Sequence, residues 1–304
     1  MLVNDPAQFL EAMAALDAST GPATARAAFL LSPSGFALAD ESARDNAYMR
    51  MEQSADPLRA LQQHAALAGA LRQDCAVITF PGDPRTPDAV FPNNVFATAR
   101  NTLVIGRMRH AVRRAEAERP DIRTFFGDVL GYDEVDLSGC EELVAELTGS
   151  LVIDRARNVG YCGLSERCDA AGAAAMHQAF GLDLTLCFEL AEGEYHSNVL
   201  MSVLAGRAVM LAADGFRDPE VPRAIAEAFD HRVIWLTPEQ KRAYAGNAIT
   251  LGEHRVWMSA TGAASLTPAQ RADLERWGFA VGEVELDEIE KAGGSLRCCV
   301  AEIF

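Results

Sequence analysis

Residues 151–163, LVIDRARNVGYCG, are two short apolar runs separated by the polar residues Arg157 and Asn158. Two strand-forming runs joined by a short polar connection predict a β-hairpin. Residues 170–180 follow and are rich in Ala, the strongest helix former. The stretch therefore predicts a structural unit made of a hairpin and then a helix.

The same unit recurs along the chain. Hairpins are predicted to begin at residues 95, 151, 199 and 248, with spacings of 56, 48 and 49 residues. A repeat of about 50 residues indicates an architecture in which each unit packs on its neighbours. The strand around Phe29 and a last strand over Ser295–Phe304 are expected to complete a fifth unit and close the ring. An ordinary doubly wound sheet of hairpins and helices is the alternative.

No low-complexity linker divides the 304 residues. We predict an α/β fold with a single domain over 27–304 and an N-terminal extension over 1–26. A break over Ser19–Pro22 interrupts the helical pattern of that extension, because Gly and Pro end regular structure. Residues 39–72, rich in Ala, Arg and Gln, are predicted to be helical.

The composition excludes several classes of partner. The chain has 27 Lys and Arg against 43 Asp and Glu, a net charge of −16. Such a charge argues against nucleic acids and anionic membranes as partners, and no apolar run approaches the roughly 18–20 residues that span a bilayer. The seven cysteines show no CxxC spacing, so we expect no metal site and a reducing, cytoplasmic location.

Two short stretches in the first half of the chain carry polar groups that could bind a ligand. Residues 88–95, DAVFPNNV, place Asp88 and the amides Asn93 and Asn94 at the entrance to a predicted strand. Amides donate and accept hydrogen bonds, which suits planar polar ligands, although Pro-Asn-Asn is also ordinary turn chemistry. Glu146 precedes the turn Leu147–Ser150. A lone acid of this kind is more often a solvated or capping group.

Two further stretches in the second half of the chain carry reactive groups. His196 lies directly before an apolar strand, where it could transfer protons near neutral pH. Histidines at such positions are more often structural. Near the C-terminus, GGSLRCCV over 293–300 puts Cys298 beside Arg297, which would lower a thiol pKa. A buried, inert cysteine is the usual alternative.

Taken together, these four stretches resemble the guanidino-group-modifying enzyme superfamily, which includes arginine deiminases, dimethylarginine dimethylaminohydrolases, agmatine deiminases and amidinotransferases. The order Asn-Asn, Glu, His, Cys matches that family, as does GLSER over 163–167. The likeness is greatest to the arginine deiminase-related branch that contains citrulline ureidases. The resemblance implies a five-bladed α/β propeller, a small amino-acid substrate and no cofactor. A homodimer is left open.

The resemblance also implies roles for individual residues. It makes Cys298 the nucleophile, His196 the general acid and base, and Glu146 the carboxylate that holds the substrate nitrogens. The remaining matches concern substrate binding: Arg167 for the α-carboxylate with help from Arg113 or Arg114, and Asp88 and Phe91 at the entrance. Cys299 stands where the family more commonly has Met. Because neighbours along a strand point to opposite faces, only one of the two cysteines is expected to face the site.

The substrate is predicted from one position at which this chain differs from many members of the family. Asn94 stands where many guanidine-binding members have Asp, so Asn93 and Asn94 are expected to favour a neutral ureido group, whose carbonyl oxygen an amide can meet as a donor. A citrulline ureidase is therefore the first prediction. Dimethylarginine dimethylaminohydrolase and arginine deiminase are the alternatives, followed by an amidino transferase and by a non-catalytic propeller that acts as a binding module.

Overall fold

The computed structural model describes residues 1–16 and 21–304. Hydrogen-bonded strands occur throughout this part of the chain, in agreement with the predicted α/β class. They are β1 (Leu2–Val3), β2 (Ala27–Leu31), β3 (Ala76–Phe80), β4 (Phe96–Ala99), β5 (Thr102–Ile105), β6 (Asp133–Asp136), β7 (Leu151–Asp154), β8 (Val159–Leu164), β9 (Leu184–Glu189), β10 (Met201–Leu204), β11 (Ala208–Leu211), β12 (Val233–Trp235), β13 (Ile249–Gly252), β14 (Arg255–Ser259), β15 (Ala280–Val284) and β16 (Ala301–Ile303).

The strands of the described residues form five small sheets that share one plan. In each sheet an antiparallel pair is extended by a third strand that runs parallel to the second. The sheets are β4-β5-β6, β7-β8-β9, β10-β11-β12, β13-β14-β15 and β16-β2-β3. The four predicted hairpins are confirmed. The predicted pairing of the two chain ends is also confirmed, since Ala301 lies opposite Phe29.

Helices connect the strands and cover the sheets. They are α1 (Pro6–Ala15), α2 (Pro57–Leu71), α3 (Ala111–Arg114), α4 (Pro120–Thr124), α5 (Leu147–Ser150), α6 (Ala170–Ala179), α7 (Ser197–Leu200), α8 (Glu220–Ala228), α9 (Pro238–Arg242), α10 (Ala260–Ser265), α11 (Pro268–Arg276) and α12 (Asp287–Glu290). Single turns of 3₁₀-helix occur at Ser42–Arg44, Pro92–Asn94, Ala115–Ala117, Ala213–Gly215 and Leu296–Cys299, and a π-helical turn occurs at Phe125–Val129.

The N-terminal residues pack onto one of the five sheets. Strand β1 runs parallel to β9 and makes β7-β8-β9 a four-stranded sheet. Phe9 of α1 is fully buried, and its ring contacts Tyr161 edge-on with the centroids 5.8 Å apart. The described part of the predicted extension therefore belongs to the hydrophobic core. The predicted break at Ser19–Thr20 lies outside the described residues.

Short turns of helix precede the first strands of the sheets and bring polar side chains together. Pro92–Asn94 precedes β4, α5 precedes β7, α7 precedes β10, and Leu296–Cys299 precedes β16. These turns pack against one another. The hairpin repeat therefore gathers residues far apart in the sequence at one place.

Two predicted elements are shorter than expected. The helix predicted over 39–72 begins only at Pro57, because Asp56 caps it by accepting hydrogen bonds from the backbone N–H groups of Leu58 and Arg59. The strand predicted over Ser295–Phe304 is wrong for its first half. There the N–H groups of Cys298 and Cys299 bond back to Ser295, closing a 3₁₀-turn.

Candidate active site

A pocket of about 300 Å³ lies beside the packed turns and contains most of the predicted site residues. Its walls come from loops and short helical turns that adjoin strands of four of the five sheets, and from the irregular segment before α2. The lining residues are Ser42, Asn46, Asp88, Phe91, Asn94, Arg113, Arg167, Tyr195, His196, Ala292, Gly293, Gly294 and Cys298. Cys298 and His196 thus face one cavity although about 100 residues separate them.

The two neighbouring cysteines have different surroundings. Cys298 lines the pocket, and its Sγ lies 3.3 Å from Asn247 Nδ2. Cys299 is fully buried in an apolar cluster and does not line the pocket. The expected alternation along a strand does not apply, since both residues lie in a 3₁₀-turn. Burial raises the thiol pKa of both cysteines, and for Cys298 hydrogen bonds and Arg297 oppose that rise.

His196 is oriented by Glu146. The His196 Nε2–H donates to Glu146 Oε2 over 2.9 Å, and both side chains are buried. Burial alone would raise the pKa of Glu146, but Arg167 and His196 hold it well below its usual range. An ionised carboxylate can only accept, so Nε2 carries the proton and Nδ1 presents its lone pair. Nδ1 has no hydrogen-bond partner among the described residues, which leaves it free for a ligand.

Glu146 has a different position from the one that the resemblance implied. Its Oε1 accepts from the backbone N–H of Arg109, and its Oε2 accepts from His196 and from Arg167 Nη1 at 3.2 Å. The side chain is fully buried and does not line the pocket. Glu146 therefore holds His196 and Arg167 in place, and we find no oxygen of it left to hold substrate nitrogens.

Arg167 also differs from expectation, because its donors are already occupied. Nη2 donates to Asp45 Oδ1 over 2.5 Å and to the backbone oxygen of Ser42, while Nε donates to Asp45 over 2.8 Å. Arg113 is paired with Glu116 and donates from Nη2 to the Phe91 carbonyl, which leaves its Nη1 without a partner among the described residues. Arg113 is therefore the better placed of the two to receive a carboxylate.

The predicted polar residues of 88–95 lie in or beside the pocket. Asp88 accepts from Ser42 Oγ on Oδ2, while its Oδ1 is buried and unpartnered in the described structure. Burial raises the pKa of Asp88, and Arg113 opposes that rise. Asn94 lines the pocket with its Oδ1 also unpartnered. Asn93 lies behind it, where its amide donates to Thr148.

Gly149 makes this close packing of the turns possible. A Cβ at this position would lie 2.6 Å from Asn94 Oδ1 and 2.8 Å from His196 Nδ1. Contacts this short cannot be accommodated without movement of the two side chains. A glycine is therefore required between the amide and the imidazole.

Sequence reasoning missed several residues of this site. Asn247 and Asn198 contact the Cys298 thiol, and Asp45 and Asn46 come from a segment that was predicted to be helical. A signal for Asn247 was present in the repeat. It lies two residues before β13, as Asn94 lies two residues before β4.

Within the described residues, no three His, Cys, Asp or Glu side chains are arranged to hold a metal ion. In the same part of the chain, no helix has the length and apolarity needed to cross a membrane.

Comparisons with known proteins identify the family. A family model described as N,N-dimethylarginine dimethylhydrolase, eukaryotic, matches residues 32–304. The N(G),N(G)-dimethylarginine dimethylaminohydrolase of Pseudomonas aeruginosa is 27% identical over 255 residues, which cover 80% of this chain and 88% of the relative. The uncharacterized protein YkgA of Bacillus subtilis is 22% identical over 80% of this chain and 79% of its own length.

Solved structures share the fold. The N-terminal domain of ArgZ, an arginine dihydrolase from the ornithine–ammonia cycle in cyanobacteria, superposes with a TM-score of 0.78 at 19% identity and covers 91% of this chain and 97% of its own. A dimethylarginine dimethylaminohydrolase in adduct with S-methyl-L-thiocitrulline superposes with a TM-score of 0.70 at 23% identity, over 91% of this chain and 99% of its own.

Proposed function

The chain belongs to the guanidino-group-modifying enzyme superfamily, and within it we propose that this protein hydrolyses a C–N bond in the guanidino group of an arginine-derived amino acid. The observation that carries the proposal is that Cys298, His196 and Asp88 line one pocket, in which His196 Nδ1 and Asp88 Oδ1 have no hydrogen-bond partner among the described residues. The pocket thus combines a nucleophile, a base and an anionic group for a cation.

In the first half of the proposed reaction, the Cys298 thiolate attacks the central guanidino carbon and forms a C–S bond. The tetrahedral adduct collapses as the C–N bond to one nitrogen breaks. His196 Nδ1, which takes the proton of the Cys298 thiol as the thiolate forms, gives that proton to the departing nitrogen, which leaves as ammonia or an amine. A thiouronium group remains on Cys298. Glu146 stabilises the imidazolium that forms during this step, because it is ionised and bonded to Nε2.

In the second half, a water molecule attacks the same carbon while His196 Nδ1 takes one of its protons. The C–S bond then breaks, the thiolate of Cys298 is restored, and a ureido product leaves. The balance is one water consumed and one amine released. All the groups needed for proton transfer are residues of this chain.

The unpartnered atoms favour a guanidinium over the neutral ureido group that Asn94 led us to predict. Asp88 Oδ1, Asn94 Oδ1 and His196 Nδ1 are all hydrogen-bond acceptors, so the complementary ligand is rich in N–H donors. The ion pairs around the pocket agree, since Arg113 is paired with Glu116 and Arg167 with Asp45 and Glu146. Asp88 is left as the lining carboxyl group without an ion-pair partner of its own within the described residues. Such a site attracts a cation.

Arginine and its N-methylated forms carry this cation, and Nη1 of Arg113 is suited to the α-carboxylate of such an amino acid. The family model and the relative from Pseudomonas aeruginosa support dimethylarginine as the first substrate to test. Citrulline hydrolysis remains the second candidate, because Asn94 can present its amide nitrogen to a carbonyl oxygen.

We further propose that the five sheets are the blades of a closed propeller around this pocket, formed by one domain over 27–304 onto which β1 and α1 pack. The first strands of neighbouring sheets approach one another in several places. The Thr98 hydroxyl of β4, for example, donates to the Glu302 carbonyl of β16. The cytoplasmic location and the homodimer stay predictions.

The test is product release from asymmetric dimethylarginine, arginine, agmatine and citrulline, with ammonia and dimethylamine measured separately for wild type and Cys298→Ser. We expect release from a guanidino amino acid, lost in the variant. Agmatine lacks the carboxylate and should be a poor substrate. Turnover of citrulline alone would overturn the guanidinium argument, and turnover that persists in Cys298→Ser would overturn the mechanism.

A further inference from the structure

We propose that Asn247 is a positioning residue that holds the Cys298 side chain and stabilises its thiolate. The inference rests on the proposed function, in which Cys298 is the nucleophile, and extends it to a residue of the sheet β13-β14-β15. Asn247 itself does not line the pocket and lies behind Cys298.

Four contacts fix the Asn247 side chain, which is fully buried. Its Oδ1 accepts from the backbone N–H groups of Arg297, over 2.9 Å, and Cys298, over 3.4 Å. Its Nδ2 donates to the Asn198 carbonyl over 2.8 Å and lies 3.3 Å from Cys298 Sγ. The one amide group therefore binds both the backbone and the sulfur of the nucleophile.

The identity of the atom that faces the sulfur follows from these partners. The N–H groups of Arg297 and Cys298 can only donate, so the atom that they meet must be the amide oxygen. The Asn198 carbonyl can only accept, so the atom that it meets must be the amide nitrogen. The end of Asn247 that faces Sγ is thus an N–H donor, and no rotation of the amide can replace it with an oxygen without breaking both sets of bonds.

A donor in this position favours the thiolate over the thiol, because hydrogen bonds to ionised groups are about twice as strong as neutral ones. A donor to the sulfur is needed because burial disfavours the charged form of the thiol. Arg297, the nearest cation along the chain, is already paired with Glu302 over 2.9 Å. Asn198 is farther from Sγ, with its Nδ2 at 3.7 Å and its Oδ1 at 3.8 Å, so Asn247 Nδ2 is the nearer donor.

The experiment measures the alkylation rate of Cys298 by iodoacetamide from pH 6 to pH 10, followed by mass spectrometry of the modified peptide. It compares wild type with Asn247→Ala and Asn247→Asp. The Asp variant keeps an oxygen for both backbone N–H groups but places a negative charge at the sulfur, so it serves where Asn247→Ala fails to fold. Cys299→Ala is the control and should match wild type.

We expect the alkylation profile of both Asn247 variants to shift to higher pH, with the rate at pH 7 lowered about tenfold to hundredfold. The limiting rate at high pH should be retained, because the thiolate stays accessible once formed. An unshifted profile in Asn247→Asp, or a lowered limiting rate without a shift, would overturn the proposal. Alkylation does not depend on substrate, so normal Cys298 reactivity in a wild type that turns over no substrate would contradict the proposed function alone.

Discussion

Two cavities lie on either side of the turns that carry Cys298 and Asn198, and they differ in the groups left without partners. The active-site pocket contains a thiol and an imidazole, and the fully buried atoms without partners on its lining residues are acceptors. The second cavity, of about 510 Å³, has Arg155, Ser202, Arg297 and Glu302 among its lining residues and has no histidine or cysteine. Its unpartnered atoms are Arg155 Nε and Ser202 Oγ.

The comparison shows that neither volume nor polarity marks the site of chemistry. The larger cavity has charged groups and hydroxyls but neither a cysteine nor a histidine. The smaller one holds both, with a carboxylate that fixes the base. We therefore expect substitutions in the active-site pocket to change catalysis and those in the second cavity to change stability.

The largest loss of activity is expected when the nucleophile is replaced. Cys298→Ser should lower kcat by at least about a thousandfold, because a serine hydroxyl in this pocket has no comparable tendency to ionise. Cys299→Ala should retain activity, since its thiol is buried among apolar side chains. Steady-state amine release measures both. The reverse order of effects would assign the nucleophile to Cys299.

The next effect concerns the orientation of His196. Glu146→Gln is expected to lower kcat by about 10²–10⁴-fold, because a neutral amide neither fixes the Nε2–H tautomer nor stabilises the imidazolium. The substrate KM should change much less, since Glu146 does not line the pocket. A variant with a raised KM and an unchanged kcat would indicate that Glu146 contacts the substrate directly.

Glu146 also gives a pH dependence of stability. Its folded-state pKa is held below the unfolded value by Arg167 and His196, so its contribution is complete above the unfolded pKa and is lost as the pH falls through the folded one. Thermal unfolding midpoints from pH 7 down to pH 3 should therefore fall more steeply for wild type than for Glu146→Gln. Parallel curves would show that the pKa of the Glu146 carboxyl group is not lowered in the folded protein.

A smaller effect is expected at Asp88. Asp88→Asn removes the unpartnered carboxylate oxygen and should raise KM for a guanidino amino acid by about tenfold to hundredfold. The effect on citrulline, which carries no side-chain charge, should be smaller. Comparing kcat/KM for the two substrates in both proteins tests this. An equal loss for both would argue that Asp88 does not meet the guanidinium.

The smallest effect on activity is expected in the second cavity. Arg155 has no carboxylate partner among the described residues, and burial lowers its pKa to about 10. Arg155→Met should keep kcat/KM within about twofold and leave the unfolding temperature unchanged or raised, because a partly buried charge without a carboxylate partner is removed. A large loss of kcat at a constant unfolding temperature would show that the second cavity takes part in catalysis.

Local patterns were sufficient to predict the hairpins. Alternating apolar runs with short polar connections recur at the same spacing, so β7 and β8 could be located within a residue. The regular period also predicted the pairing of the chain ends. The segment before α2 could not be predicted, because Ser42 and Asp45 are ordered by Asp88 and Arg167, which are distant in sequence.

The site residues were predicted better than their contacts. Cys298, His196 and Asp88 line one pocket. Arg167 also lines it, but donates to Glu146 and to Asp45, and no spacing in the sequence indicates these bonds. The order of the residues reflects the repeat. The partners of each side chain depend on how the turns pack in three dimensions.

The central claim is that Cys298 forms a covalent bond to the guanidino carbon. The most direct test is to mix the protein with dimethylarginine or arginine, quench with acid within the first turnover, and map the modified peptide by mass spectrometry. The account predicts a substrate-derived adduct on Cys298, absent in Cys298→Ser. Turnover without an adduct at any time point, or an adduct on Cys299, would contradict it.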